Sequence, residues 1–241
     1  METILKIQNV SKHFDGIVAV DDVSMAIPAG TITGIFGDNG AGKSSLFNLL
    51  SGFEKPDIGK IYFLNKVITH KSVLQRAKMG MGRLFQIPRI FSDISVFDNL
   101  LAASKNPKGH HSYNYLLNPA AIRKETEKNN IRANKILEQF SLSDKSEMKA
   151  YELSIGEKKL LSLGSLLMND ARLLLLDEPF AGINEALIAH LKNMLVLIKH
   201  LGVTLLIIEH NKTVIEEIAD NCFEMKQGRI IEYVFNNHAA Y

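Results

Sequence analysis

A glycine-rich loop between two apolar runs is the feature that most constrains how this chain can fold. Residues 37–44 read G-D-N-G-A-G-K-S and fit the pattern G-x-x-x-x-G-K-S. Residues 31–36 predict a strand before the loop, and residues 46–50 predict a helix after it. In this setting successive backbone N–H groups turn toward one anion, and the helix N-terminus adds partial positive charge. A glycine-rich turn with a chance lysine needs neither flanking element, so we predict a phosphate-binding P-loop within an α/β fold.

The motif predicts a bound nucleoside triphosphate and assigns roles to individual residues. Lys43 reaches the β- and γ-phosphates, and the hydroxyl of Ser44 lies on a Mg²⁺ ion. The candidate nucleotide-contacting residues of the loop and the first helical turn are Gly37, Asp38, Asn39, Gly40, Ala41, Gly42, Lys43, Ser44 and Ser45.

Composition narrows the class of protein further. A hydrophobic content of 46% in 241 residues is ample for a buried core, and a net charge of +2 lacks the basic surplus of a nucleic-acid footprint. The single cysteine, Cys222, cannot form an internal disulfide, which fits a reducing compartment. No apolar run reaches the roughly 18 residues that span a bilayer, and residues 1–6 do not begin a secretory signal. We expect a cytoplasmic protein without nucleic-acid partners.

Periodicity divides the chain into three parts. Residues 4–36 alternate between apolar and polar, with turns at Asp15-Gly16 and at 28–30, and predict several short strands. A helix over 43–50 stops at Ser51-Gly52, and strands follow near 61–64 and 81–85.

Residues 87–150 change to helical spacing and predict a helical insertion. Its helices cover 96–103 and 122–140, with a polar, breaker-rich loop at 106–112 between them. The pair His110-His111 lies in this loop without nearby cysteine or acidic ligands, so we predict no metal there.

The alternation of helices and strands returns after residue 150. Unbroken aliphatic strands in this part predict a parallel sheet that is covered on both faces. The predicted elements are a helix over 157–168, a strand over 173–176, a helix over 185–201, a strand over 203–208 and two short strands over 222–225 and 229–233.

Two of these strands end in polar side chains that complete the site. Residues 173–178 read L-L-L-L-D-E, as in a Walker B motif, where Asp177 helps hold Mg²⁺ and Glu178 polarises the attacking water. His210 follows the next strand and is placed to hydrogen-bond the γ-phosphate and that water. The alternatives are that the Asp177-Glu178 pair caps the next turn and that His210 is structural.

With these parts in place, the chain resembles the ATP-binding subunits of ABC transporters over nearly its whole length. Residues 153–157 read L-S-I-G-E, which is similar to the family signature L-S-G-G-Q. The resemblance implies that Ser154, Gly156 and Glu157 contact the ATP of the opposite protomer, so that two subunits clamp two nucleotides head to tail. Ile155 and Glu157 depart from the commonest residues, and a simple helix N-cap at Ser154 is the alternative.

The resemblance assigns two further residues and one segment. Gln86 matches the glutamine that touches Mg²⁺ and water, and Phe14 matches the aromatic residue that stacks on adenine. A core role for Phe14 is the alternative. Residues 181–184, A-G-I-N, match the dimer-facing D-loop, with Asn184 where aspartate is more usual.

The ATPases of branched-chain amino acid importers are the subgroup that this chain most resembles. That similarity lies in the segments 85–91, 98–101, 181–184 and 208–211 and in the polar insertion near His110, and the lipopolysaccharide export ATPase is a close rival. Against the importer pattern, Glu185 replaces an expected proline, and the chain stops at Tyr241 without a longer tail.

The resemblance implies one ABC ATPase domain, with a nucleotide-binding core and antiparallel β subdomain over 1–86 and 151–241 and a helical subdomain over 87–150. It further implies an enzyme that hydrolyses ATP with Mg²⁺ and a second ATPase subunit, identical or different. Integral-membrane permease subunits would hold it on the inner face of the membrane through residues 87–97.

Two other functions stay open. A soluble ABC-type ATPase acting on nucleic acid or ribosomes usually carries a coiled coil, zinc-binding cysteines or tandem cassettes, none of which this sequence predicts. A nucleotide-binding subunit with little activity of its own is the third possibility, because Ile155 and Glu157 depart from the signature.

Overall fold

Two long antiparallel strands, β1 (Thr3–Phe14) and β2 (Ile17–Pro28), begin the chain in a computed structural model that describes residues 2–104 and 119–233. Asp15 and Gly16 form the predicted turn between them, and both have positive φ. The expectation of several short strands was wrong, because irregularities in the pairing let each strand bend without ending.

An antiparallel sheet of four strands contains this hairpin and two further strands, β4 (Ile58–Phe63) and β5 (Lys66–Val67). Their order in the sheet is β2-β1-β4-β5. Apolar side chains such as Leu5, Ile27 and Phe63 are fully buried, so the sheet covers part of the core.

A second sheet has six strands, which are β3 (Ile32–Phe36), β6 (Met81–Leu84), β7 (Leu173–Asp177), β8 (Thr204–Glu209), β9 (Asn221–Lys226) and β10 (Arg229–Tyr233). Their order in the sheet is β10-β9-β3-β8-β7-β6. All neighbours pair in parallel except β10, which is antiparallel to β9. The predicted parallel sheet of buried aliphatic strands is confirmed, and its parallel strands end at one edge.

Seven helices connect these strands within the described residues. They are α1 (Lys43–Ser51), α2 (Val73–Lys78), α3 (Val96–Ala102), α4 (Pro119–Gln139), α5 (Ile155–Met168), α6 (Glu185–His200) and α7 (Lys212–Glu216). The predicted glycine stop of α1 is confirmed, because Gly52 has a φ of 86° and its N–H bonds the carbonyl of Asn48. In the described part of the chain, no helix is long and apolar enough to cross a membrane.

The chain forms two compact units. The first comprises Met1–Gln86, Arg172–Ala181 and Leu195–Tyr241, and contains both sheets. The second comprises Ile87–Ala171 and Gly182–Met194, and is helical.

The helical unit is larger than the sequence predicts, since residues 151–171 and 182–194 belong to it rather than to the core. The reason is the packing of α5. A Cβ on its Gly164 would lie 2.8 Å from Ile136 of α4 and 3.1 Å from Leu100 of α3, so glycine lets three helices approach closely. The predicted polar loop at 106–112, with His110-His111, lies outside the described residues.

Candidate nucleotide-binding and hydrolysis site

The predicted P-loop runs from the end of β3 to the start of α1. Gly42, the residue before α1, has a φ of 103°, and a Cβ there would lie 2.2 Å from the carbonyl oxygen of Ala19. Only glycine fits this position, both for its backbone conformation and for its space. A residue outside the loop also holds it in place, because the N–H of Gly228 donates to the carbonyl of Ala41 at 2.9 Å.

Lys43 folds back over the loop. Its Nζ donates to the carbonyl oxygens of Gly37 at 2.7 Å and Asp38 at 2.8 Å. Burial lowers the pKa of the Lys43 ammonium, and nearby carboxylates, first that of Glu178, oppose this effect. The lysine is therefore a desolvated cation, bonded only to neutral carbonyl oxygens in these contacts, at the start of a helix. This arrangement suits a polyanionic ligand.

The remaining predicted phosphate contacts lie in the same loop and in the first turn of α1. Ala41 donates its N–H to the carbonyl of Asp38 at 3.2 Å, which closes the loop over Asn39 and Gly40. Ser44 is exposed at the first turn of α1 and Ser45 is half-buried.

Asp177 ends β7 as a half-buried carboxylate. Its Oδ2 accepts from Nη2 of Arg83 at 2.8 Å. Arg83 lies on β6, the strand next to β7, and its contact with Asp177 was not predicted from the sequence. A charged residue inside the otherwise apolar segment 81–85 was the available signal.

Glu178 has a backbone conformation that is unusual for a glutamate. Its φ is 46°, and its N–H donates to the carbonyl of Ile208 on β8 at 3.0 Å. Left-handed residues other than glycine are held against a conformational cost and concentrate at functional sites. The carboxylate accepts from the side-chain amide of Gln86 at 3.4 Å, so two predicted catalytic residues lie together.

The end of β8 brings His210 to the P-loop. Nδ1 of His210 lies 3.5 Å from the carbonyl oxygen of Gly37. The preceding residue, Glu209, is buried and accepts from the backbone N–H of Phe180 at 3.0 Å and of His210 at 3.2 Å. Glu209 therefore links the chain after β7 to the chain after β8, a role that the sequence did not reveal.

The donor set of this unit fits Mg²⁺. Ser44, Gln86 and Asp177 offer hydroxyl, amide and carboxylate oxygens, the hard ligands that this ion takes. Within residues 2–104 and 119–233, no group of three or more His, Cys, Asp or Glu residues could hold a metal ion. Mg²⁺ is usually bound by one or two carboxylates, and substrate phosphates supply further ligands.

Phe14, the predicted adenine contact, lies at the end of β1 with 38% of its surface exposed. Nζ of Lys12 lies 5.2 Å from the centre of its ring. Asp57 accepts from Nζ of Lys12 and from the N–H of His13, each at 2.8 Å. These bonds, first that from Lys12, lower the pKa of the Asp57 carboxyl to about 2. The exposure of Phe14 favours a ligand contact over a core role.

The signature residues form a separate group in the helical unit. Ser154 caps α5: its Oγ accepts from the N–H of Glu157 at 3.4 Å and donates to Oε2 of Glu157 at 2.8 Å. The Glu157 carboxylate also accepts from the N–H of Ser154 at 2.8 Å and from Nζ of Lys145. Burial raises the pKa of Glu157, but the bonds from Lys145 and Ser154 outweigh it and lower that pKa below its ordinary value.

The two signature residues between Ser154 and Glu157 differ in their exposure. Ile155 is 60% exposed, whereas Gly156 is buried. A Cβ on Gly156 would lie 1.7 Å from Cδ2 of Leu187, so α6 occupies the space that a side chain would need. Asn184 caps α6 by accepting from the N–H of Leu187 at 2.9 Å, as an aspartate there would.

The chain is similar to known proteins over nearly its whole length. Residues 20–181 match the profile of the ABC transporter family. The chain is similar to the probable branched-chain amino acid transport ATP-binding protein LivG of Methanocaldococcus jannaschii, with 39% identity over 95% of this chain and 88% of the relative. It is 30% identical to the lipopolysaccharide export system ATP-binding protein LptB of Acidithiobacillus ferridurans, over 96% of this chain and 90% of that protein.

Among solved structures, the chain is similar to an ATP-binding cassette of an ABC transporter crystallised in its ADP conformation. The TM-score is 0.81 and the identity 37%, and the match covers 96% of this chain and 90% of the solved one.

Proposed function

This chain belongs to the ABC transporter family, and we propose that it is the ATP-hydrolysing subunit of an importer of branched-chain amino acids. It binds nucleotide and hydrolyses ATP to power transport, as the cassettes of this family do. The proposed hydrolysis rests on one observation. The first unit contains the P-loop together with Asp177, Glu178, Gln86 and His210. The substrate rests on the LivG relative, which is more similar to this chain than the LptB relative.

Each residue of the first unit has a part in the proposed reaction. Lys43 and the N-terminus of α1 hold the phosphates, and Phe14 stacks on the adenine. Ser44, Gln86 and Asp177 would hold Mg²⁺, which supplies positive charge to the phosphate oxygens. Glu178 polarises the water that attacks the γ-phosphorus while the bond to the β-phosphate oxygen breaks. His210 hydrogen-bonds the γ-phosphate and keeps that water in line.

The helical unit supplies the other half of the proposed site. Ser154, Gly156 and Glu157 would contact ATP on a second ATPase subunit, identical or different, so that ATP closes a head-to-tail dimer. Ser154 lies at the N-terminus of a 14-residue helix, where partial positive charge favours a phosphate.

Permease subunits in the membrane are the proposed partners, and closure of the ATPase dimer would drive their transport cycle. The segment after Gln86 supports a contact there, because Ile87 is 80% exposed and Phe91 is 64% exposed. Such a contact would hold the protein on the inner face of the cell membrane.

A second candidate is the lipopolysaccharide export ATPase, which the 30% identity to LptB favours. A soluble ATPase acting on nucleic acid or ribosomes gains no support from relatives that are named as parts of transport systems.

Reconstitution separates the two transport functions. The chain, co-purified with its permease subunits and placed in vesicles, should accumulate radiolabelled leucine, isoleucine or valine only with ATP. The Glu178→Gln variant is the matched control and should bind ATP without uptake. A complex that hydrolyses ATP, moves none of the three amino acids and extracts lipopolysaccharide instead would overturn the importer proposal.

A further inference from the structure

We infer that Arg83 is a positioning residue for the metal site, which holds the Asp177 carboxylate in the orientation from which it contributes to the Mg²⁺ shell. The inference rests on the proposed role of Asp177 as a Mg²⁺ ligand. It concerns a side chain that touches neither phosphate nor water in the proposed reaction and acts through Asp177.

Arg83 joins three elements through its guanidinium. Nη2 donates to Oδ2 of Asp177 at 2.8 Å, while Nη1 donates to Oδ1 of Asn48 at 2.8 Å and to Oγ of Ser51 at 2.9 Å. The side chain is 10% exposed and that of Asp177 is 17% exposed, so solvent screens this ion pair only weakly. One planar group thus fixes the end of β7 against α1.

The surroundings of the guanidinium keep it in place. Its central carbon lies 5.1 Å from the ring centre of Phe85, 5.7 Å from that of Phe53 and 5.9 Å from that of Phe47. Aromatic faces at this distance attract a cation, and their low polarity strengthens the bond to the carboxylate. A lysine could keep the charge here but not the planar fork.

The contact to α1 connects Asp177 to the other proposed metal ligand on that helix. Ser44 stands in the first turn of α1, and Asn48 follows it one turn later on the same side. Because Arg83 bonds both Asn48 and Asp177, one chain of contacts links the Asp177 carboxylate to the helix that carries Ser44. Arg83 engages Oδ2, which leaves Oδ1 as the oxygen to offer to the ion.

The same end of β6 also holds the second carboxylate. Gln86, three residues after Arg83, donates to Glu178 at 3.4 Å. β6 and the chain just after it therefore bond both acidic residues, Asp177 through the cation Arg83 and Glu178 through the neutral amide of Gln86.

Positioning and simple competition predict opposite effects on metal affinity. If Arg83 merely competed with the ion for Asp177, its removal would free the carboxylate and tighten metal binding. If Arg83 positions Asp177, its removal leaves the carboxylate to rotate, and metal binding weakens. Loss of such an outer partner typically lowers metal affinity about 10- to 100-fold.

The test measures Mn²⁺ binding by electron paramagnetic resonance in the presence of ADP, and the Mg²⁺ dependence of ATP turnover. We expect Arg83→Met to weaken Mn²⁺ binding about tenfold and to raise the half-maximal Mg²⁺ concentration similarly, with metal-free ADP binding unchanged. The Mn²⁺ affinity of Arg83→Lys should lie between those of the wild-type protein and Arg83→Met. This variant serves as the test if Arg83→Met does not fold.

Arg76→Met is the matched control. Arg76 is a buried arginine that also holds the end of α1, but it donates to the backbone carbonyls of Leu49 and Leu50 among others. Its loss should lower the melting temperature and leave Mn²⁺ affinity unchanged. Wild-type or tighter Mn²⁺ binding by Arg83→Met would overturn the inference. Asp177→Asn separates the two proposals, because unchanged Mn²⁺ binding in that variant would refute the role of Asp177 itself.

Discussion

At the scale of single residues, carboxylates in this protein differ in what holds them. Asp177 and Asp57 are each bonded to a cation, Arg83 and Lys12 respectively. Glu178 instead accepts from the neutral amide of Gln86 and has a left-handed backbone. The two acidic residues at this edge of the sheet therefore differ in their partners, since an ion pair holds Asp177 and a neutral hydrogen bond holds Glu178.

Replacement of Glu178 by glutamine should remove hydrolysis and spare binding. The amide keeps the size of the side chain but cannot accept a proton from water, so we expect turnover to fall about 100-fold or more. Equilibrium binding of a fluorescent ATP analogue should match that of the unchanged protein. Lys43→Ala is the contrasting variant and should lose binding. Full turnover by Glu178→Gln would remove Glu178 from the reaction.

Asp57 should make stability depend on pH at acid values. Its carboxyl has a pKa of about 2 in the folded protein against an ordinary value of 3.8, so the charged form is favoured by folding. This contribution is complete above the ordinary pKa and is lost as the pH falls toward 2.

We therefore expect Asp57→Asn to melt at a lower temperature than the unchanged protein at pH 7. That difference should shrink as the pH is lowered from about 4 to 2. Lys66→Ala, at an exposed position of the same sheet, is the control. A difference in melting temperature that stays constant over this range would show that Asp57 acts through something other than its charge.

At the scale of elements, the sequence predicts the strands and helices that have a clear local pattern of apolar residues. Unbroken aliphatic runs identified β3, β7 and β8, and the strand-end rule placed Asp177 and His210 at the same edge of the sheet. Both α2 and α7 were missed, because six and five residues are too few to show a helical period. The helix α2 is stabilised instead by a capping box between Ser72 and Gln75.

Partners that are distant in sequence could not be predicted. Arg83 meets Asp177 only because β6 pairs with β7, across 94 positions of the chain. Glu209 meets Phe180 for the same kind of reason, since the chain after β7 returns beside the end of β8. A single sequence contains the charges but not the strand order that pairs them.

The contacts at the start of α5 lead to a prediction about Glu157, which stands where glutamine is the commonest residue of the family signature. The capping box places a carboxylate 2.8 Å from the Ser154 hydroxyl, where a phosphate of the proposed partner would approach. Lys145 bonds that carboxylate and offsets its charge. Lys145→Met should therefore weaken ATP-driven dimerisation about fivefold.

Glu157→Gln in the same protein should restore dimerisation, because the glutamine keeps the capping box and removes the charge. Light scattering in the Glu178→Gln background measures both variants, and Lys158→Met, at the next position, is the control. If the double variant dimerises as weakly as Lys145→Met alone, the charge of Glu157 is not the reason.

At the scale of the whole molecule, the two units hold different halves of the proposed site. The first unit has the P-loop, both carboxylates and His210, and the helical unit has Ser154 and Gly156. In the proposed head-to-tail dimer, each nucleotide needs the P-loop of one subunit and the signature of the other. A defect in either half should therefore be complemented by a partner that is defective only in the other half.

Mixing two inactive variants tests this division directly. Lys43→Ala loses its own P-loop but keeps a signature, and Ser154→Arg keeps its P-loop but blocks its signature with a bulky cation. Each alone should have almost no turnover, because every site in its homodimer is defective. Random mixing makes half of the dimers heterodimers, and each contains one site built from two intact halves. Turnover should then recover to about a quarter of the wild-type value. A mixture that stays inactive, while cross-linking detects heterodimers, would mean that nucleotides are not shared between subunits in this way.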